Sequence, residues 1–246
     1  MTEIVKEKPH IDAIICWPKS TDYPLFRDFI EAHRHYFDKV IIVFTETNQG
    51  HDYKPFVREA LADADITFLD SRPIEPEEDW RNVAVNQALD VSESTWVWFL
   101  EQDFMVTNHQ FWNLIVLHML DSDAIGWKDG ATRLHPACLL VKRQFINMTH
   151  RDFGIVPGKL DHFARFFTSL RLAGAKIQKL DYPSDLFYHM NGLSHNMALL
   201  ERGEEITYKP EEFYQYLALC LAQPKLHDKF REIAEPAVQK YVEAQQ

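Results

Sequence analysis

The sequence predicts an α/β protein with a mostly parallel β-sheet flanked by helices. Short apolar runs of strand length alternate with segments of helical periodicity through the first hundred residues, which is typical of βαβ units. The run at 96–100 consists of five apolar residues, as expected for a central strand buried on both faces. Glycine is scarce, with 8 among 246 residues against a usual share of about 7%, which disfavours long flexible linkers.

Four strands and three helices are predicted in the first hundred residues. Pro18 follows the first strand, and we expect a turn from residue 17 because proline cannot donate to a central ladder. A polar residue within 20–22 can cap the first helix, and Asp79 can cap the third. Asp12 lies within the first strand, an unusual place for a carboxylate. The predicted strands are 11–16, 39–44, 66–69 and 96–100, and the predicted helices contain 25–37, 54–64 and 79–89.

The second half of the chain has a less regular order. Asn108 can cap a fourth helix, and Asp161 can open another helix that Gly174 ends. The segment 187–203 has no clear type, and the chain is predicted to be helical from 210 onward. The predicted strands of this half are 123–127, 136–141 and 176–180.

The composition indicates which binding partners are disfavoured and which cellular compartment is expected. The formal net charge of −11 disfavours nucleic acid as a partner. The three cysteines are far apart and form no CxxC pair, which suggests a reducing, cytoplasmic compartment. We expect no signal peptide, because residues 1–10 are charged and contain no apolar h-region. We expect no transmembrane segment, because no apolar run approaches ~18 residues. The sequence also lacks GxGxxG, GxxxxGK[ST], GxSxG and HExxH motifs, which disfavours dehydrogenases, P-loop enzymes, α/β-hydrolases and zinc proteases.

Two carboxylates directly follow the apolar run at 96–100. Positions two apart in a strand face the same way, so Glu101 and Asp103 would project together if the extended conformation continues. They would lie at the carboxyl edge of the sheet, where open α/β sheets bind ligands. Two oxygen ligands at this edge suit Mg²⁺ or Mn²⁺, and such an ion in turn suits binding of a diphosphate. The alternative is a strand end that simply meets water.

The order of these segments resembles GT-A-fold glycosyltransferases, and is most similar to the family 2-like enzymes. The resemblance covers roughly residues 11–200. It implies a GT-A-like Rossmann-type sheet with a helical C-terminal extension, and identifies Glu101-Gln102-Asp103 as the DxD motif with Glu at its first position. The matching stretches are 11–18, 81–88, 96–103, 135–143, 160–162 with the helix that follows, and 188–192.

The resemblance also implies roles for individual residues. Asp103 would bind the metal, with Glu101 a less certain ligand, and His189 would complete the site, with His195 competing for that role. Asp161 would act as general base, although an N-cap alone also explains it. The residues implied in nucleotide-sugar binding are Pro18, Asp70, Arg81, Glu101 and Asp103, and those implied in acceptor binding are Trp127, Lys128, Asp129 and His135. Trp127 would stack on a sugar ring if it is exposed, and a position in the core or in a loop is the alternative for it.

The resemblance implies a metal-dependent glycosyltransferase that uses Mn²⁺ or Mg²⁺ and a nucleotide-sugar, with a UDP-sugar favoured. The expected acceptor is a glycan or lipid-linked sugar, or a hydroxymethylated base in viral DNA, and inversion is expected if Asp161 is the base. A non-catalytic nucleotide-sugar or carbohydrate-binding module and a nucleotidyltransferase are the alternatives. The implied domains are a catalytic domain at 1–209, with a nucleotide-sugar half at 1–105 and an acceptor half at 106–209, and a helical extension at 210–246.

Overall fold

The protein folds around one seven-stranded sheet. The computed structural model describes residues 9–45, 51–75, 77–129, 133–154, 163–181 and 185–245, with the backbone alone at 128, 129 and 133. The strands are β1 (Ile11–Pro18), β2 (Lys39–Thr45), β3 (Ile66–Asp70), β4 (Trp96–Leu100), β5 (Phe104–Val106), β6 (Ala124–Asp129), β7 (Arg133–Lys142), β8 (Ile177–Leu180) and β9 (Phe187–His189). The sheet order is β3-β2-β1-β4-β7-β6-β8, and β5 pairs with β9 in a separate ribbon.

The strand directions confirm the predicted mostly parallel sheet. Strands β1 to β4 are parallel to one another where they pair, and β6 is parallel to β8. Strand β7 is antiparallel to both of its neighbours, β4 and β6. The carboxyl ends of β1 to β4 therefore share one edge of the sheet, which is the edge where the predicted site lies.

Helices cover both faces of the sheet, as predicted. None of the helices in the described part of the chain combines the length and apolar character needed to cross a membrane. The helices are α1 (Pro24–His33), α2 (Lys54–Ala60), α3 (Trp80–Val91), α4 (Gln110–Met119), α5 (Arg143–Met148), α6 (Ala164–Leu172), α7 (Leu193–Glu201), α8 (Pro210–Leu221) and α9 (Asp228–Ala244).

Strand β4 separates two hydrophobic cores. Trp96, Trp98 and Leu100 face the core formed with α1, α4, α7, α8 and α9. Val97 and Phe99 face the core formed with α3, α5 and α6. This alternation explains why the run has no polar member, since both of its faces are covered. The C-terminal helices α8 and α9 pack into the same core as the sheet.

One predicted helix start is wrong, one is confirmed, and one lies outside the described residues. Helix α1 begins at Pro24 after Tyr23, so no residue of 20–22 caps it. Helix α6 begins at Ala164, after Phe163 at φ 64°, and Asp161 lies outside the described residues. Asp79 caps α3 as predicted, because its carboxylate accepts hydrogen bonds from the backbone N–H groups of Arg81 and Asn82.

Asp12 is a structural carboxylate at the edge of the sheet opposite the predicted site. It is fully buried at the start of β1. Its oxygens accept hydrogen bonds from Ser92 Oγ at 2.7 Å, Ser94 Oγ at 2.7 Å and the backbone N–H of Glu93 at 2.9 Å. Burial acts to raise the pKa of Asp12, but these hydrogen bonds outweigh it and the pKa is lowered.

Asp12→Asn should lower the free energy of unfolding at neutral pH by about 2 kcal/mol, because it weakens the bonds to the 92–94 loop. The folded-state pKa of Asp12 is below its unfolded value of about 3.9, so this stabilisation is present above pH ~4. It is lost as the pH falls through the folded-state pKa. Urea unfolding of wild type and variant from pH 7 downward measures the difference, which should shrink below pH ~4. Asp63→Asn, at an exposed position, should show no such difference.

Candidate functional site

The chain turns sharply where β4 ends. The strand stops at Leu100, and the backbone N–H of Phe104 donates to the carbonyl of Glu101 at 3.2 Å, which closes a turn. The expectation that Glu101 and Asp103 project together from an extended segment is therefore wrong. The period of two applies only while the backbone stays extended. The two carboxylates instead have different partners.

Asp103 faces His189 across the ribbon formed by β5 and β9. Phe104 pairs with His189 in the antiparallel register, and the backbone N–H of Met190 donates to the Asp103 carbonyl at 2.8 Å. His189 Nε2 consequently lies 3.2 Å from Asp103 Oδ2, with side chains 4% and 13% exposed, respectively. His195, the competing histidine, is an exposed residue of α7. The structure thus brings His189 to the acidic triplet.

Asp103 has a buried oxygen that fits a metal ligand. Its Oδ1 accepts no hydrogen bond from any described residue. A buried carboxylate oxygen normally has a partner, and a carboxylate beside an imidazole suits Mn²⁺. The described residues contain no cluster of three His, Cys, Asp or Glu side chains that could hold a metal. Asp103 and His189 could therefore hold an ion only together with further ligands from water or a bound molecule.

Glu101 is engaged by Arg81 of the first turn of α3. Asp79 caps this helix and so fixes the place of Arg81. The Arg81 guanidinium donates to Glu101, and the two side chains are 18% and 21% exposed. The guanidinium also lies 5.0 Å from the ring centre of Trp80. Arg81 is thus directed at the carboxyl edge of β4 instead of being a solvated helix-face residue.

A narrow crevice connects the ends of β1 and β4. Cys16, Arg81, Glu101 and Gln102 contribute to its lining. The Gln102 side chain donates to the carbonyl of Cys16, which ties the two strand ends together. Burial raises the pKa of the Cys16 thiol to about 12, so the thiol stays protonated and is a poor nucleophile.

Pro18 and Asp70 lie at the same edge of the sheet. Pro18 is the last residue of β1, so the predicted turn from residue 17 is wrong; the ladder reaches Pro18 because its neighbour Lys19 supplies an N–H to the Thr45 carbonyl at 3.1 Å. Asp70 ends β3, and its side chain is 55% exposed. Lys54 Nζ at 3.0 Å and an Arg58 nitrogen at 3.2 Å hold its carboxylate.

Trp127 does not present an exposed ring. It is 3% exposed, and its ring centre lies 4.6 Å from that of His135, 4.8 Å from that of His189 and 5.3 Å from that of Phe187. Of the two alternatives for Trp127, the structure shows the core position and not the stacking surface, because these rings and Phe104 cover it. His135 itself lies beside His189, with ring centres 4.5 Å apart. Lys128 and Asp129 belong to β6, and their side chains are outside the described part of the chain.

Tyr23 is a site neighbour that the sequence did not indicate. It is 1% exposed, and its hydroxyl lies 3.5 Å from Ser194 Oγ at the start of α7. Burial raises the pKa of Tyr23 to about 12; the Ser194 hydroxyl lowers it, and the Asp103 charge raises it. Tyr23, directly before α1, therefore connects the start of that helix with α7, which follows His189 in the chain. No periodicity or motif marks it, since it is simply the residue before Pro24.

Solved structures with the same fold include three informative neighbours. The mannosyltransferase PcManGT from Pyrobaculum calidifontis, in complex with GDP-Man and Mn²⁺, matches with a TM-score of 0.55 and 14% identity over 94% of this chain and 69% of that one. The 1–349 piece of S. aureus TarS, in complex with UDP-GlcNAc, matches with a TM-score of 0.51 and 16% identity over 92% and 70%. The 4-diphosphocytidyl-2C-methyl-D-erythritol synthase from Anaerococcus prevotii matches with a TM-score of 0.52 and 10% identity over 73% and 92%.

A comparison with protein-family models and a comparison with curated protein sequences find no match. At the identities of the solved structures, the similarity concerns the fold. It confirms the GT-A-like sheet that the order of the sequence segments implied.

Proposed function

We propose that this chain is a metal-dependent glycosyltransferase that moves a sugar from a nucleotide-sugar to an acceptor hydroxyl. The observation that carries the proposal is the buried Asp103 carboxylate beside His189, at the carboxyl edge of β4 in a GT-A-like sheet. Two solved structures of this fold contain nucleotide-sugars, one of them together with Mn²⁺, and this supports the same donor class here.

Asp103 and His189 are the residues that would hold Mn²⁺ or Mg²⁺. The bound ion would neutralise negative charge on the departing diphosphate. Glu101, which the resemblance offered as a second metal ligand, would instead orient Arg81, since the two form an ion pair. The Arg81 guanidinium can then donate to the ribose or phosphates of the donor.

Asp70 and Pro18 are proposed to contact the nucleoside. The Asp70 carboxylate is exposed at the end of β3 while Lys54 and Arg58 hold it in place. A carboxylate accepts hydrogen bonds, so Asp70 can accept from an N–H group of the base or from a ribose hydroxyl. A UDP-sugar remains the preferred donor by family resemblance.

A thermal-shift experiment tests the donor site. UDP, GDP and CDP are each added with and without Mn²⁺. We expect at least one of the three nucleotides, UDP being the preferred one, to stabilise the protein only when the metal is present. At a nucleotide concentration of ~100 times Kd, the gain in unfolding free energy should be about 2.7 kcal/mol, which is readily seen. Absence of any metal-dependent shift with all three nucleotides would count against the proposal.

Asp161 is proposed as the general base that takes the proton of the acceptor hydroxyl, which would lead to inversion. Asp161→Asn should then lower the rate of transfer by about 100-fold or more while leaving the metal-dependent nucleotide shift unchanged. If Asp161→Asn transfers sugar at the wild-type rate, Asp161 is not the general base. The control is Asp185→Asn, which makes the same change at an exposed aspartate of the same half.

The acceptor is proposed to be a glycan or lipid-linked sugar, with hydroxymethylated DNA a weaker alternative because of the −11 charge. Among the four acceptor residues implied by the resemblance, His135 is the best placed, since it lies beside His189. Trp127 would support His135 from the core, and Lys128 and Asp129 follow Trp127 along β6.

All three cysteines are free, which supports a reducing compartment such as the cytoplasm.

A nucleotidyltransferase is the second candidate, because a synthase of a diphosphocytidyl compound has the same fold. The products separate the two reactions. A glycosyltransferase releases nucleoside diphosphate, whereas a nucleotidyltransferase releases free diphosphate. A binding module without turnover would show the nucleotide shift but release neither product.

A further inference from the structure

Two tyrosines stand out at the rim of the proposed site. Tyr188 and Tyr208 are 36% and 43% exposed, and no other Phe, Tyr or Trp side chain of the described residues is as exposed. Tyr188 is the middle residue of β9, directly before His189. Tyr208 lies between α7 and α8, two residues before Pro210. Most aromatic side chains of this protein are buried, so two exposed rings beside a candidate site require an explanation.

Tyr208 is fixed against the turn that follows His189. Its ring lies so close to Gly192 that a Cβ on this glycine would be 2.5 Å from a ring carbon. Gly192 also has φ +80°, a conformation that favours glycine. The Tyr208 carbonyl accepts a hydrogen bond at 2.7 Å from the side chain of Asn196, which is 1% exposed. The exposed ring is therefore held in place by a buried contact and by the site turn.

Tyr188 faces away from the metal pair. Its neighbours Phe187 and His189 are 2% and 6% exposed and point into the core, so alternation along β9 turns Tyr188 outward. Lys209 directly follows Tyr208 and has φ +45°, an uncommon conformation for a lysine. The pKa of Lys209 is raised, mainly by its hydrogen bond to Glu212, and further by Tyr208 and Tyr188. Tyr188 and the contact of the Tyr208 ring with Gly192 thus lie at the two ends of one short segment, 188–192, which contains His189.

We propose that Tyr188 and Tyr208 form a platform that stacks against a sugar ring of an oligosaccharide acceptor. Because Tyr188 points away from His189, the platform cannot contact the sugar whose hydroxyl reacts beside the metal pair. It can contact a neighbouring ring of the same chain, so the acceptor needs at least two sugars. Tyrosine offers an apolar face to the C–H groups of a sugar and a hydroxyl to its oxygens, and Lys209 adds a donor beside the rings. This inference rests on the proposed function.

Calorimetric titration of the full chain tests the platform without any donor. The probes are linear tetrasaccharides of glucose, N-acetylglucosamine, mannose and galactose, each compared with its monosaccharide. We expect one tetrasaccharide to bind at least about five-fold more tightly than its monosaccharide, which is the value of one stacking contact. Tyr188→Ala and Tyr208→Ala should each weaken that binding about five-fold. Tyr188→Phe and Tyr208→Phe keep the rings and should retain most of it.

Tyr241→Ala is the matched control, because Tyr241 is a partly exposed tyrosine of α9 that stacks on Tyr214 instead. It should leave binding unchanged. No binding by any tetrasaccharide, or equal binding in both alanine variants and wild type, would overturn the platform. The nucleotide shift with Mn²⁺, measured on the same variants, should not change. Loss of glycan binding in the two alanine variants, with the nucleotide shift intact, supports the platform. If wild type shows no nucleotide shift but still binds glycan through the two tyrosines, the glycosyltransferase proposal is rejected and the platform is retained.

Discussion

Asp103→Asn should abolish metal-dependent nucleotide binding and lower the rate of sugar transfer about 1,000-fold, or ~4 kcal/mol of transition-state stabilisation. The substitution keeps the volume of the side chain but removes the charge that would bind the ion. His189, 3.2 Å away, cannot replace it because a neutral imidazole alone is a weak ligand for these ions. The rate of nucleoside diphosphate release and the Mn²⁺-dependent thermal shift measure the two effects.

The control for this variant is Asp121→Asn, which makes the same change at an exposed position after α4. It should keep both the shift and the rate. Glu101→Gln separates the two acids of the triplet, because Glu101 binds Arg81 and not His189. We expect it to weaken nucleotide binding while the dependence on Mn²⁺ remains. Unchanged metal dependence in Asp103→Asn would contradict the assignment of the metal to Asp103.

Local signals predicted much of this fold. The run at 96–100 is β4 with the predicted bounds, because a fully apolar run of this length has one compatible environment in a sheet. Asp79 caps α3 as predicted, because an N-cap bond involves only residues within the next turn. Asp103 could be selected as a candidate because it lies only three residues after the end of a central strand, and thus near the carboxyl edge of the sheet.

The partners of Asp103 could not be predicted from local patterns. His189 reaches it through a ribbon whose strands have three residues each, too few to show alternation. The turn after Leu100 separates Glu101 from Asp103, and no glycine or proline in the triplet marks it. Trp127 is buried because rings from other elements cover it, which is a property of packing and not of its own segment.

Arg27 and Asp22 form a fully buried ion pair between the first βα turn and α1. Their side chains are 1% and 0% exposed, with Arg27 Nε donating to Asp22 Oδ1 at 2.9 Å and Nη2 to Oδ2 at 3.1 Å. Arg27 Nη2 also donates to the Lys225 carbonyl at 2.6 Å, and the guanidinium lies 5.0 Å from the ring centre of Phe56. One side chain thus connects α1 with the segment between α8 and α9.

Arg27→Met should lower the free energy of unfolding by about 3–5 kcal/mol, because it leaves the Asp22 carboxylate buried without its cation and the Lys225 carbonyl without this donor. Urea unfolding followed by tryptophan fluorescence measures the loss. Arg171→Met, at an exposed position of α6, should cost less than about 0.5 kcal/mol. The double variant Asp22→Leu/Arg27→Met should recover much of the loss, since an apolar pair can replace a buried ion pair. If Arg27→Met is as stable as wild type, the ion pair does not contribute to holding the segment between α8 and α9 against α1.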